Sequence, residues 1–424
     1  VTTWLPWLFP LLAALTALFV PLYAYSVRGR RYATFAAVIL GLSLPGALIG
    51  HARLVATVPS AAAAGLHLAF AYCMAAAGLH LTHLVRARMR SPWFRLGISV
   101  PGQTFVAAGF MMGGWLLAWL PIRAVLWALS LDGALAALAY LDWIPLIVAA
   151  ISAVTSPRPS IEWVRIRLGV DGPDEVTRVP VERHRIHPPA PPDSRPLRIV
   201  QITDPHLGPW QTVRGLQRTV ERLLDRDPDL VLLTGDFLTM ESNATPGALA
   251  SALEPLRKYT GRCFAIFGNH DHEAPDEVRH GLEANGVRLL VDEEMTVSTA
   301  AGEVQLIGAD YKGRGRREHL NELLQRIPRR EDHLRLLMLH DPAGFRHLPP
   351  GDVDLTLSGH THGGQVGLVS FGLDWTVLSR SRWPDHGLFA LGANRLYVHR
   401  GTGFYGFPLR VGVPGEASVL EVLA

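Results

Sequence analysis

The residues best able to do chemistry stand directly after short apolar runs. "LRIVQIT" leads into Asp204 and His206 of "DPH", and "LVLLT" leads into Asp236 of "GDF". "CFAIF" leads into Asn269, His270 and Asp271 of "GNHDHE". "LRLLML" ends in His340, and "VDLTL" runs into "SGHTHGGQV", which carries His360 and His362. Any one of these, taken singly, reads as a cap or a loop polar group. Together they bring carboxylates, imidazoles and one amide into a donor set of oxygen and nitrogen without thiolate. Such a set suits Mn, Fe, Zn, Co or Mg and does not suit Cu(I) or iron–sulfur chemistry. The donors are too many for one tetrahedral ion. Shared between two ions, with one carboxylate bridging, they leave room for water and substrate. Two divalent ions about 3.5–4 Å apart clamp a phosphoryl group and activate water, a recurring solution for phosphate ester hydrolysis. Gly235, Gly268, Gly359, Gly363 and Gly364 flank the donors, and glycine lets a backbone turn sharply or approach closely.

The elements that must position these residues are strands alternating with helices. The first helix of this part carries Val213, Leu216, Val220 and Leu223 on one face, and another starts at Pro275 and stops at Gly286. Alternation of this kind predicts an α/β sandwich, two sheets flanked by helices. Side chains beyond the carboxyl ends of such strands converge on one crevice. The donors, far apart in sequence, are therefore expected to meet.

The charge balance divides the chain. Its formal charge is +3. Residues 1–155 hold nine Arg, no Lys, two Asp and no Glu, a balance of +7, which leaves −4 for the remainder. The soluble part thus has no basic excess for phosphate backbones, so nucleic acid is excluded as a partner. Cys73 and Cys263 imply no disulfide framework. Residues 1–155 read as a multispan α-helical membrane region, since about 20 apolar residues cross a bilayer. Five spans are expected: Trp4–Tyr25, Tyr32–Gly50, Ala61–Val85, Phe105–Leu120 and Ala134–Val154. Pro121, Arg123 and Asp132 interrupt the last two. A removable signal peptide is not expected, because a basic start is missing and more spans follow. The clusters "RGRR" and "RARMR" fall on one side if the amino terminus lies outside, which places the catalytic part on the cytoplasmic side. His51, His67, His80 and His83 read as helix-packing or interfacial residues rather than ligands. Residues 156–196 form a strand-rich segment that ends in the Pro-rich connector "HPPAPPDSRP", and 197–424 form the catalytic domain.

The order D-x-H, GD, GNH[DE], H, GHxH resembles the calcineurin-like metallophosphoesterase superfamily, in its bacterial membrane-associated phosphodiesterase branch. Here it is met by "DPH", "GDF", "GNHD", "LHD" and "GHTH". The resemblance implies one metal held by Asp204, His206 and His362. It implies a second held by Asn269, His340 and His360, with Asp236 bridging. It also implies a hydroxide between the metals as nucleophile, His270 as hydrogen-bond donor to the phosphate, and Asp271 as the group that orients His270. Manganese is the metal expected first. Pro205 and Asp341 depart from the family pattern without removing a donor.

The expected function is a membrane-anchored, metal-dependent phosphoesterase acting on a phosphodiester or pyrophosphate. Several helices favour a substrate at the bilayer, in particular a lipid-linked one resembling UDP-2,3-diacylglucosamine, within a bacterial cytoplasmic membrane. Two alternatives are a non-catalytic scaffold and a regulatory output module of a membrane sensor. The scaffold conflicts with the complete donor set. The sensor predicts charged pairs inside the spans, and the sequence offers only scattered histidines and edge arginines. "KGRGRR" (Lys312–Arg317) reads as a solvated loop, His272 as a surface residue, and His386 and His399 as structural.

Overall fold

The structure is a computed structural model that describes residues 4–189 and 195–423. The centre of the expected Pro-rich connector, residues 190–194, lies outside the described residues. The chain separates into two compact units. One comprises the residues up to Thr155 together with Gly406–Leu409; the other comprises Ser156–Tyr405 and the residues from Arg410 onward.

Among the described residues, five helices of the first unit are long and apolar enough to cross a membrane: Leu5–Arg28, Arg30–Val55, Ser60–Leu84, Pro92–Ala128 and Asp132–Thr155. Leu11, Leu15, Leu18, Phe19 and Leu22 of the first point outward and are exposed. That pattern suits a hydrocarbon solvent and not water. The second and fourth helices touch backbone to backbone: a Cβ on Gly46 would lie 2.2 Å from the Gly109 carbonyl. Without a hydrophobic drive between spans, small residues at the contact supply the packing. The fourth helix is much longer than expected and runs through both Pro121 and Arg123. It tolerates Arg123 because the guanidinium meets the carboxylate of Asp142, which is fully buried. Arg53 donates to the same carboxylate at 2.6 Å and the Trp115 indole at 3.1 Å. The expectation that the spans lack charged pairs is therefore corrected. Arg53 and Asp142 lie 89 residues apart, too far for spacing to reveal the partnership. The histidines pack as expected. His51 and His67 share a 2.9 Å hydrogen bond, and His80 meets Ser99 and Gln103. His83 turns to the Leu79 carbonyl instead, so it forms no pair with His80.

Among its described residues the second unit holds fourteen strands: β1 (Ser160–Arg167), β2 (Thr177–Val179), β3 (Glu182–His184), β4 (Leu197–Ile202), β5 (Leu230–Leu233), β6 (Cys263–Ala265), β7 (Arg288–Leu289), β8 (Glu293–Thr299), β9 (Gly302–Ala309), β10 (His333–Leu339), β11 (Leu355–Ser358), β12 (Gly387–Leu391), β13 (Asn394–Val398) and β14 (Glu416–Leu423). They form two seven-stranded mixed sheets, ordered β3-β1-β14-β4-β5-β6-β7 and β2-β12-β13-β11-β10-β9-β8. The segment after the membrane helices thus contributes strands to both sheets. Alternate residues of the two sheets interleave between them: Ile199, Leu230, Leu232 and Phe264 from the first, and Leu306, Leu336, Met338 and Leu357 from the second. On the outer face of the second sheet, Ile307, Leu337 and Leu396 pack on Leu320, Leu323 and Leu324 of the helix Arg316–Arg326.

One buried polar network ties the sheets together. Glu416, at the start of β14, accepts from the Arg400 Nε at 3.1 Å and lies 3.4 Å from Arg183 Nη1, with the Tyr397 and Ser418 hydroxyls also donating to it. Burial alone would raise this carboxyl, but His399, Arg183 and Arg400 hold it well below the usual range.

Candidate metal centre

β4, β5 and β6 run parallel in one sheet, and β10 and β11 run parallel in the other. Every candidate donor stands just past the carboxyl end of one of these strands. Backbone hydrogen bonds join the exits: Asp204 N–H to the Gly235 carbonyl, His206 N–H to the Asp236 carbonyl, and Gly359 N–H to the His340 carbonyl.

Two groups result, each with its ligand atoms within 4.8 Å of one another: Asp204, His206 and His362, and Asp236, His340 and His360. In the first, the Nε2 atoms of His206 and His362 lie 3.2 Å apart, and Asp204 Oδ1 lies 3.4 Å from His362. In the second, His340 Nε2 lies 3.3 Å from Asp236 Oδ2 and 3.3 Å from Asn269 Oδ1. His360 stands beside His340, ring centres 5.1 Å apart. Asp236 joins the groups. Its Oδ2 is 3.3 Å from His340 and 3.7 Å from His206, while its Oδ1 accepts from the His270 N–H.

The donors fit divalent ions. His340 Nδ1 donates to the Thr234 carbonyl at 2.7 Å, which turns Nε2 inward toward Asp236, where a bound cation would displace its proton. Burial brings His206 and His360 down to about 4, so their imidazoles are neutral and their lone pairs available. Burial, with His206 next to it, puts His362 well below its ordinary value as well. His340 is opposite: burial pulls it down, but the Asp236 carboxylate outweighs this and lifts it to about 10. Burial lifts Asp204 to about 6. Inward-facing lone pairs and carboxylates this close repel one another, and cations among them relieve that repulsion.

The local backbone is unusual. Asp204, His206, Asp236, His360 and His362 all have positive φ, between 46° and 70°. Gly235, Gly363 and Gly364 also have positive φ, as expected of the flanking glycines, so donors and glycines share the left-handed backbone. Left-handed backbone at non-glycine residues costs about 1–2 kcal/mol each and clusters at functional sites. Gly268 and Gly359 have a different task, close approach: a Cβ there would lie 2.2 Å from Asp236 Oδ1 and 2.1 Å from Asp204 Oδ2.

The expected role of Asp271 is corrected. Its carboxylate is taken up by three backbone N–H groups, from Asp236, Phe237 and Gly268, at 2.7–2.8 Å. It holds together the loops that carry Asp236 and Gly268. Glu273 is the carboxylate that meets His270, with Oε1 3.2 Å from Nδ1. Burial lowers His270, but this hydrogen bond and the charge of Asp236 outweigh it and leave the imidazole raised. Glu273 lies one helical turn beyond His270, a spacing that could have been noticed. Tyr405, also missed, covers the centre from a segment remote in sequence. Its ring lies 4.3 Å from His270 and 4.9 Å from His206. The departures from the family pattern are accommodated: Arg316, within "KGRGRR", pairs with Asp341 at 2.7 Å and neutralises its charge. His272 pairs with Asp310 at 3.0 Å, and His386 and His399 are buried.

Sequence comparison with known proteins points to one family. The calcineurin-like phosphoesterase profile matches residues 197–364. A phosphodiesterase of Escherichia coli, YaeI, is 27% identical over 236 residues, covering 54% of this chain and 84% of that protein. The metallophosphoesterase YkoQ of Bacillus subtilis is 30% identical over 246 residues, covering 54% of this chain and 85% of that one. A transmembrane protein with a metallophosphoesterase domain from Bos taurus is 29% identical over 271 residues, covering 59% of this chain and 58% of that one.

Proposed function

Since the chain belongs to the calcineurin-like phosphoesterases and is a metal-dependent phosphoesterase of phosphodiesterase type, we propose that it hydrolyses a lipid-linked phosphodiester or pyrophosphate at a bilayer. The family's dinuclear centre would be held here by Asp204, His206 and His362 on one side and Asn269, His340 and His360 on the other, with Asp236 shared. One observation carries this reading: a single oxygen of Asp236 faces imidazoles of both groups, at 3.3 and 3.7 Å. Manganese is the metal we expect. When bound, the two ions supply Lewis acidity toward phosphoryl oxygens and a water acidic enough to lose its proton near neutral pH.

The chain's own residues do the rest. His270, whose protonated form is favoured by Glu273 and Asp236, donates a hydrogen bond to the phosphate and gives a proton to the leaving oxygen. Asp271 fixes the main chain on both sides of Asp236, so the shared carboxylate keeps its place as charge builds. Tyr405 shields the His206 and His270 rings from water. Five apolar helices in the same chain support a substrate held in the membrane, such as a UDP-2,3-diacylglucosamine-like pyrophosphate. The arginine clusters support a cytoplasmic catalytic unit in a bacterial cytoplasmic membrane.

The test is manganese-supported hydrolysis of an aryl phosphodiester by the full chain and by Asp236→Asn. The variant is expected to lose about a hundredfold or more in turnover, together with bound metal. Equal turnover overturns the reading.

A further inference from the structure

The sandwich unit carries one apolar surface that its core does not use. Among its described residues, eight large apolar side chains are exposed, and six of them lie in one loop: Val366, Leu368, Phe371, Leu373, Trp375 and Val377. Phe371 is 76% exposed and Trp375 47%. The loop begins four residues after His362, at the edge of the metal centre. It is held in shape rather than collapsed. Leu368 N–H donates to the Trp375 carbonyl at 2.8 Å and Val377 N–H to the Val366 carbonyl at 3.0 Å, which makes a small hairpin. Thr376 anchors its far shoulder on the buried Asp385. Exposed Arg380 and Arg382 follow, with Arg382 stacked on Trp383, while Asp374 is an acidic residue at the tip.

We propose that the loop 366–377 inserts into the headgroup–acyl boundary of the bilayer and seats the metal centre against phospholipid. This deepens the reading of a membrane-held substrate and rests on it. Chain continuity selects the occupant. Gly367 and Ser370 donate to the carbonyls of Val411 and Gly412. Those residues follow, after Arg410, on Gly406–Leu409, the one stretch outside the amino-terminal region that groups with the membrane helices. There Phe407 stacks on Phe110, ring centres 5.1 Å apart, and Leu409 clusters with Ala107, Ala108 and Ala149. The main chain that braces the loop thus continues a segment that groups with the apolar helices. Aromatic and aliphatic tips flanked by arginine are the composition of an interfacial segment facing anionic headgroups.

Leu373→Cys in the full chain, with Cys73→Ala and the buried Cys263 kept, takes a nitroxide label. The labelled protein is reconstituted in phosphatidylethanolamine–phosphatidylglycerol vesicles. Power saturation is expected to show oxygen access exceeding that of a water-soluble nickel chelate, with the reverse at the exposed control Glu283→Cys. Nickel access dominating at 373, or dipolar broadening from a second copy, overturns the proposal. In a second experiment, Phe371→Asp/Leu373→Asp is expected to lose about tenfold on a vesicle-embedded phosphodiester, yet to keep its turnover of a soluble aryl phosphodiester. An equal effect on both substrates, or on neither, overturns it. If the unmodified chain cleaves no phosphodiester at all, the functional reading fails instead, and the spin-label result still decides the loop.

Discussion

A carboxylate can serve a reaction centre by touching an imidazole or by fixing the main chain around it, and Glu273 and Asp271 divide these tasks. Glu273→Gln weakens the hydrogen bond that raises His270, so burial pulls the imidazole down. The acid form is then lost at lower pH than in the parent. A pH–rate profile is expected to show the alkaline limb moved to lower pH, with kcat about tenfold down and KM little changed. The donor types were legible in the sequence because each lies in a short local motif. Glu273 stands at a readable spacing of three from His270, whereas Tyr405, remote in sequence, was not legible. Both faces of Asp271 are equivalent on paper, and only the fold shows that its carboxylate turns to three amides.

Strand exits and the turns after them decide where each donor points. Gly268→Ala tests this directly, since the added Cβ would meet Asp236 Oδ1 at 2.2 Å. With circular dichroism unchanged, bound metal and turnover are expected to fall together, turnover by about a hundredfold. The apolar runs ahead of the motifs were readable as strands because they are short, continuous and closed by glycine or proline. The left-handed backbone of five donors was not readable, since it is imposed by crossing hydrogen bonds between exits. The Glu416 network was equally hidden, being assembled from β3, β13 and β14. Its pH dependence follows from the sign of the shift. Glu416 is depressed on folding, so its contribution is full above the ordinary value of 4.5 and is lost as pH falls through the folded value. Glu416→Gln is expected to cost roughly 3 kcal/mol at pH 7, and the gap to narrow steadily below about pH 4.5 in denaturation midpoints.

At the scale of the molecule, two solvents shape one chain. In the helical unit, Asp142 is balanced by Arg53 and Arg123 in surroundings that solvate charge poorly. Asp142→Asn leaves two cations facing a neutral amide and is expected to cost roughly 3 kcal/mol in detergent, read by thermal denaturation. Turnover of a soluble aryl phosphodiester is expected to stay unchanged, as an anchor requires. A marked change would identify the helices as a sensor. Five spans and the catalytic unit were both visible from composition and motif. The return of Gly406–Leu409 to the helices was not, because four residues carry no periodicity.

β14 lies between β1 and β4 and pairs with both along its length. During synthesis the spans leave the ribosome before β14, while the first sheet waits with a central slot open. β14 fills that slot only after Leu423 has emerged. Anchoring therefore precedes catalytic competence, and a nascent chain stalled before Glu416 is already committed to the bilayer while still inert toward any ester there.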